Sequence, residues 1–181
     1  ITFGCFQSPR KINQEVLALW GAVLKAVPSS RLLIKHSDFA FEGARASLLQ
    51  RMAASGIDAD RIIPEAHADY RDYLDAYGRV DVVLDTFPFP GGTTTCEALW
   101  MGVPTLTLSG NSMLSKQGES LLTAAGLPHW IAADKDDYIR KAAAVATRID
   151  ELSALRQGLR DRLRASPLMD ASRFARHLED A

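Results

Sequence analysis

The chain has 181 residues, of which 47% are hydrophobic and 24% are charged. These proportions are typical of a globular domain with a buried core and exclude an intrinsically disordered chain. The 21 basic and 22 acidic residues leave a net charge of −1, which excludes recruitment to nucleic acid or to an anionic membrane by bulk charge.

The cysteines and the apolar runs favour a cytoplasmic protein. Cys5 and Cys96 are far apart in the sequence and form no metal-binding motif, so we expect both thiols to be reduced. No apolar run approaches the roughly 20 residues of a membrane helix, and no signal peptide opens the chain. The first residue is Ile1 rather than Met, and we therefore expect a fragment of a longer protein.

Short apolar runs alternate with amphipathic segments over the first two thirds of the chain. In chain order the patterns predict a strand at 1–6, a helix capped by Asn13, a strand at 31–35, a helix at 44–54, a strand at 61–64, a helix at 70–77, a strand at 80–84, a helix at 93–101, a strand at 103–108, a helix at 114–125 and a short strand at 130–132. This alternation predicts an α/β fold with a doubly wound, Rossmann-like parallel sheet.

The stretch from Asp134 to Ala181 has helical patterns alone. Helices are predicted at 134–147 and 149–165, and Pro167 separates them from a last helix that begins at Ser172. We assign residues 1–133 to the Rossmann-like domain and residues 134–181 to helices that pack on it, so that the chain forms a single structural domain.

A loop rich in glycine and threonine, DTFPFPGGTTTCE, follows the strand at 80–84 directly. Ligands of open parallel sheets bind beyond the carboxyl ends of the strands. Gly91 and Gly92 are expected to let a ligand approach the backbone, and Thr93–Thr95 open a helix whose free N–H groups suit a phosphate. The threonine hydroxyls add further donors. The loop therefore predicts a phosphate site, although it is neither a Walker loop nor a GxGxxG motif.

Each residue of this loop also has a plainer interpretation. Thr93 is equally well explained as an N-cap and the glycines as a turn. Glu97 is placed to accept hydrogen bonds from ribose hydroxyls, but a capping-box partner of Thr94 or an acid that stabilises the helix dipole fits it too. Asp85, at a strand end, is either a ligand-binding group or a residue that caps the loop.

A second candidate stretch, SPRKI, follows the first strand. Arg10 and Lys11 lie there before a helix, where cations are suited to neutralise a diphosphate leaving group; the alternative is a solvated loop. His36 and His67 both fall near strand ends and are candidates to line the same cleft. Since no histidine pair has metal-ligand spacing, no metal site is predicted.

The segment LDTFPFPGGTTTCEALWMGVPTLTLSG, residues 84–110, resembles the nucleotide-sugar signature of the SPINDLY and O-GlcNAc-transferase family. The opening FGCFQSPRKI and the later LRDRLRASPL and RFARHLE follow the order of that family too, so the resemblance covers nearly the whole chain. Within the family, TTTCEALWMGVP is closer to the SPINDLY branch.

The resemblance implies the C-terminal Rossmann-like domain of a GT-B glycosyltransferase. Members transfer a sugar from a nucleotide diphosphate donor to Ser or Thr of acceptor proteins, with no cofactor or metal required. The partners implied are the donor, the acceptor proteins, and the N-terminal GT-B half and tetratricopeptide repeats of the same polypeptide.

Carried over by motif position, the resemblance makes Lys11 the catalytic contact to the diphosphate, Thr93 and Thr94 the phosphate-binding residues and Glu97 the ribose-binding acid. The O-GlcNAc branch has His where Gly92 stands and Asp where Glu97 stands. Both departures favour the SPINDLY branch, whose plant members resemble GDP-fucose-dependent O-fucosyltransferases. The donor is therefore either UDP-GlcNAc or GDP-fucose.

Two rival functions remain open at this point. A GT-B-fold nucleotide-sugar epimerase would use the same phosphate loop on the donor itself. A non-catalytic scaffold domain of a repeat protein would keep the fold and bind partners alone, although the presence of Lys11, Thr93, Thr94 and Glu97 together argues against it.

Overall fold

The computed structural model describes residues 1–66 and 69–180. In these ranges the strands are Thr2–Cys5 (β1), Arg31–Lys35 (β2), Ile62–Glu65 (β3), Val82–Leu84 (β4), Thr105–Leu108 (β5) and Ile131–Ala132 (β6). The helices are Gln14–Ala26 (α1), Glu42–Ala54 (α2), Tyr70–Asp75 (α3), Thr93–Trp100 (α4), Gln117–Ala124 (α5), Lys135–Ala146 (α6), Ile149–Arg164 (α7) and Ala171–Glu179 (α8). Each predicted strand is present within two residues of its predicted bounds.

The helix starts show how local sequence fixes the elements. The side chain of Asn13 accepts a 2.9 Å hydrogen bond from the N–H of Val16, which confirms it as the N-cap of α1. The helix predicted at 114–125 instead begins as a 3-10 turn at Leu114–Lys116. The hydroxyls of Ser112 and Ser115 accept from each other's backbone N–H groups, and such local bonds compete with regular helix.

The strands form one parallel sheet in the order β3-β2-β1-β4-β5-β6. Successive strands are added toward one edge of the sheet from β1 to β3 and toward the other edge from β4 to β6, so the strand order reverses between β1 and β4. Gly4 of β1 pairs with Leu33 of β2 on one side and with Val83 of β4 on the other. This order confirms the predicted doubly wound, Rossmann-like fold. In such sheets the ligand crevice lies beyond the carboxyl ends of the strands at the reversal point, here β1 and β4.

The sheet is buried on both faces, as the continuous apolar strands predict. Leu32 and Ile34 join the core under α1, α2 and α6, whereas Leu33 packs on the opposite face with Tyr77. Helix α7 buries Leu159 and Leu163 against this domain, while every residue of α8 is exposed. Within the described ranges, no helix is both long and apolar enough to cross a membrane.

Candidate functional site

The loops that follow β1 and β4 meet at the reversal point. Lys11 ends a 3-10 turn, Pro9–Lys11, and its Nζ donates a 3.0 Å hydrogen bond to the carbonyl of Pro90. The same ammonium lies 3.7 Å from the centre of the Phe89 ring, within the range of a cation–π contact. The fold thus brings together the two stretches that the sequence singles out. Arg10, the other predicted cation, is exposed on the same turn.

Burial lowers the pKa of Lys11, and attraction to the Asp85 carboxylate opposes that effect. Asp85 is 1% exposed at the end of β4. Its Oδ1 accepts hydrogen bonds from the N–H of Gly91 at 2.8 Å and of Thr86 at 3.0 Å, and its Oδ2 accepts from Thr107 Oγ1 at 2.7 Å. The carboxylate therefore caps the loop. Of the two roles that the sequence left open for Asp85, ligand binding and loop capping, the structure favours capping.

Desolvation raises the pKa of Asp85 to about 6, although the hydrogen bonds from Thr107 and Gly91 lower it. Gln7 completes this polar group: its Nε2 donates to Asp85 Oδ1, and its Oε1 accepts from Thr86 Oγ1 at 3.0 Å. Sequence reasoning missed Gln7 and Thr107. Their positions beyond β1 and within β5, on either side of β4, were the available signal.

Gly91 was predicted to let a ligand approach the backbone, but the structure shows a packing reason for a glycine at this position. A Cβ at Gly91 would lie 2.5 Å from Thr95 Oγ1 and 2.6 Å from Thr94 Oγ1, so packing against these hydroxyls requires glycine. Thr95 is itself 1% exposed, so its hydroxyl lies beneath the surface of the loop. At Gly92 a Cβ would meet the end of the flexible Gln117 side chain at 2.8 Å, and that glycine is only half-buried.

The N-terminus of α4 is open toward the crevice. Its N-cap is Gly92 with no side-chain capping bond, so the interpretation of Thr93 as the N-cap is wrong. Thr93 is exposed, and within the described ranges the N–H groups of Thr93 and Thr94 have no backbone acceptor. No acidic residue occupies the first turn to offset the helix dipole. These groups can bind an anion at this end of the helix.

Two hydroxyls of this turn are unusual. Oγ1 of Thr94 and Oγ1 of Thr95 are both buried and have no hydrogen-bond partner among the described residues. Buried hydroxyls are normally satisfied, since each unmet group costs free energy. Both threonines therefore carry an unused donor, and a phosphate oxygen at the helix N-terminus is chemically suited to accept from such a group.

Glu97 lies one turn further along α4. Its Oε1 accepts a 2.8 Å hydrogen bond from Tyr70 OH, and its Oε2 accepts a 2.9 Å bond from Tyr73 OH. The capping-box interpretation of Glu97 is wrong, because its carboxylate is bound to side chains of α3 rather than to the backbone of α4. Neither tyrosine was identified from the sequence.

Two histidines, His36 and His67, were predicted to line the cleft. His36 accepts a 3.2 Å hydrogen bond at Nδ1 from the N–H of Asp38 and so begins the turn after β2. The prediction for His67 falls outside the described residues. Among the residues the structure describes, no group of three or more His, Cys, Asp or Glu side chains is arranged to hold a metal ion.

Comparison with known proteins decides the family. The sequence matches the family Glycosyl transferase family 41 over residues 1–178. The chain belongs to this family. The SPINDLY protein of Eustoma exaltatum subsp. russellianum, named a probable UDP-N-acetylglucosamine–peptide N-acetylglucosaminyltransferase, is 40% identical over 181 residues; these are 99% of this chain and 20% of that protein. The probable N-acetylglucosaminyltransferase SEC of Arabidopsis thaliana is 33% identical over 98% of this chain and 18% of that protein.

The family 41 domain also matches a solved structure closely. A mutant of the Thermobaculum terrenum O-GlcNAc transferase superposes with a TM-score of 0.92 at 35% identity, over 99% of this chain and 34% of that one. The predicted resemblance to the SPINDLY and O-GlcNAc-transferase family and the GT-B glycosyltransferase fold are thereby confirmed. The domain spans about a fifth of the length of the curated SPINDLY relatives it matches.

Proposed function

We propose that the family 41 domain binds the nucleotide-sugar donor of a protein O-glycosyltransferase, which transfers GlcNAc or fucose to Ser or Thr of acceptor proteins. The observation that carries this proposal is the convergence of Lys11 with the open N-terminus of α4 at the reversal point of the sheet. The SPINDLY and SEC relatives are named as enzymes that use UDP-N-acetylglucosamine on peptides, which supports a donor of this class.

The reaction breaks the bond between the anomeric carbon and the diphosphate oxygen, while the acceptor hydroxyl bonds to that carbon and loses its proton. Negative charge develops on the departing diphosphate. The groups that would receive this charge are Lys11 and the N–H groups and hydroxyls of Thr93 and Thr94. One preorganised donor of this kind is typically worth about 3–4 kcal/mol of barrier. Glu97 would accept hydrogen bonds from the ribose.

Of the remaining predicted contacts, Gly92 would admit the diphosphate to the backbone, and Gly91 and Thr95 would support the loop from below. The acceptor site and the group that takes the acceptor proton are proposed to come from an N-terminal GT-B half and tetratricopeptide repeats of the full-length protein.

Thermal-shift titration of the full-length protein with UDP, GDP and their sugar conjugates tests donor binding, because a ligand of the native state raises Tm by mass action. We expect one nucleotide series to raise Tm and Thr93→Ala to weaken that response. Thr123→Ala, an exposed threonine on α5, is the matched control. Absence of a shift with either series would refute donor binding.

Product analysis separates transfer from epimerisation. With a protein acceptor present, we expect the sugar to appear on Ser or Thr and the free nucleoside diphosphate to accumulate in equal amount. Conversion of the donor sugar in the absence of any acceptor would instead identify an epimerase, and binding without turnover would identify a scaffold.

A further inference from the structure

The Glu97 carboxylate is held at both oxygens by phenols from another helix. Tyr70 OH lies 2.8 Å from Oε1 and Tyr73 OH lies 2.9 Å from Oε2. We propose that Tyr70 and Tyr73 are positioning residues that fix this carboxylate as the acceptor for the vicinal hydroxyls of a ribose, so that the site selects ribonucleotides over 2′-deoxyribonucleotides. This inference rests on the donor-binding function proposed above.

The direction of each hydrogen bond follows from the number of protons available. A phenol has one O–H, and an ionised carboxylate is an acceptor only, so Tyr73 donates its proton to Glu97. The oxygens of Tyr73 and Tyr77 are 3.1 Å apart, so Tyr77 is the donor of that pair and shares its single proton between Tyr73 and the carbonyl of Thr94, 3.3 Å away. The bond to Glu97 raises the pKa of Tyr70, and burial raises the pKa of Tyr73, so both phenols keep their protons at neutral pH.

The two phenols leave a defined acceptor capacity. A carboxylate has two oxygens with about four lone-pair sites in all, and each oxygen of Glu97 already accepts one bond from a tyrosine. One acceptor site per oxygen remains. Two adjacent hydroxyls, as on the 2′ and 3′ carbons of a ribose, match one acceptor on each oxygen. A 2′-deoxyribose would leave one of them without a donor.

Helix α3 is fixed firmly enough to act as this support. The Tyr70 and Tyr73 rings stack with centroids 5.9 Å apart, and Tyr77 stacks on Phe6 of the β1 loop at 3.8 Å. Lys35, 2% exposed at the end of β2, pairs with Asp72 of α3 at 3.1 Å. An ammonium buried in this way is costly unless it is paired, so the ion pair ties the first turn of α3 to the sheet.

The test compares affinities for UDP and 2′-deoxy-UDP, and for GDP and 2′-deoxy-GDP, by calorimetry on the full-length protein. We expect wild type to prefer the ribonucleotide by about ten-fold, the size of a charge-assisted hydrogen bond. In Glu97→Gln and in the double variant Tyr70→Phe, Tyr73→Phe, we expect the preference to fall below about three-fold while affinity for the deoxynucleotide changes little. Tyr138 is a buried tyrosine in the core on the other face of the sheet from Tyr73. As a control, Tyr138→Phe should keep the wild-type preference.

The outcomes are separable. If Glu97→Gln loses the preference and the double tyrosine variant keeps it, the positioning role is wrong. The same holds if the tyrosine variants weaken both nucleotides equally, since that is the signature of a general structural role. Tyr70 is 61% exposed, so Tyr70→Phe should fold even if Tyr73→Phe does not. Absence of any nucleotide binding in wild type would overturn the proposed function itself.

Discussion

Lys11 Nζ donates a 3.0 Å hydrogen bond to the carbonyl of Pro90, 79 residues away in the chain. Pro90 directly precedes Gly91 and Gly92, so the cation is held against the loop that leads into α4. A lone lysine after a strand usually extends into solvent, whereas this one is half-buried and lies over the Phe89 ring. Its ammonium is thereby preorganised beside the helix end that is suited to an anion.

The first prediction concerns that preorganised charge. Lys11→Met should lower the turnover of sugar transfer by about a hundred-fold or more, because charge on the leaving diphosphate would lose its cation. The Tm should change little, since the side chain is only half-buried. Steady-state kinetics and a thermal melt on the same samples provide the measurement. Arg10→Met, one residue away and exposed, should keep near wild-type turnover. Turnover near wild type in Lys11→Met would remove Lys11 from the mechanism.

The second prediction concerns the space beneath the loop. Gly91→Ala should lower the free energy of unfolding by roughly 1–3 kcal/mol, because its Cβ would overlap the hydroxyls of Thr94 and Thr95. Urea denaturation measures the loss. Gly158→Ala on α7, where nothing lies within 4 Å of the new Cβ, should instead be neutral or stabilising by up to about 1 kcal/mol. Equal stabilities of the two variants would contradict the packing described here.

The third prediction separates the C-terminal helices by their contribution to the core. Leu159→Ala on α7 should cost about 2–4 kcal/mol, since the side chain is 1% exposed. Ending the chain after Met169 removes α8, whose residues are all exposed, and should change the free energy of unfolding by less than about 0.5 kcal/mol. Denaturant titration of both variants beside the wild-type domain checks this. A larger loss on removal of α8 would show that it packs on the domain.

The strand order could be anticipated because it depends on patterns that are local in sequence. Apolar runs such as Val82–Leu84 mark buried parallel strands, and right-handed crossovers then leave few arrangements. The meeting of Lys11 with the loop before α4 follows from the same logic, since ends of neighbouring parallel strands share one edge.

The contacts of individual side chains could not be anticipated, because they depend on packing between distant segments. The positions of Gln7 and Thr107 on either side of β4 suggest that they lie near Asp85, but not that its carboxylate accepts from both side chains. Nothing in the sequence indicates that Glu97 receives hydrogen bonds from α3. Gly91 illustrates the same limit. A glycine in a loop that resembles a phosphate-binding loop suggests ligand access to the backbone. The structure shows instead that the Thr94 and Thr95 hydroxyls occupy the space where a side chain of residue 91 would begin.

The fourth prediction follows from Asp85, whose pKa rises from the ordinary value of 3.8 to about 6 on burial. The folded state therefore binds a proton that the unfolded state has released between these two values. The contribution of Asp85 to stability is fully present below pH 3.8 and is lost as the pH rises through about 6. A shift of about two pKa units corresponds to roughly 3 kcal/mol.

Asp85→Asn isolates this contribution from the other titrating groups. The asparagine Oδ1 can still accept from the N–H groups of Gly91 and Thr86, and its Nδ2 can donate to the Thr107 hydroxyl, which accepts as well as donates. Urea denaturation of both proteins from pH 4 to pH 8 gives the difference in the free energy of unfolding. We expect wild type to lose stability relative to Asp85→Asn as the pH rises, mostly below pH 7. Because the side-chain amide of that variant imitates the protonated acid at every pH, a difference that stays constant across the range would mean that Asp85 titrates alike in the folded and unfolded chain.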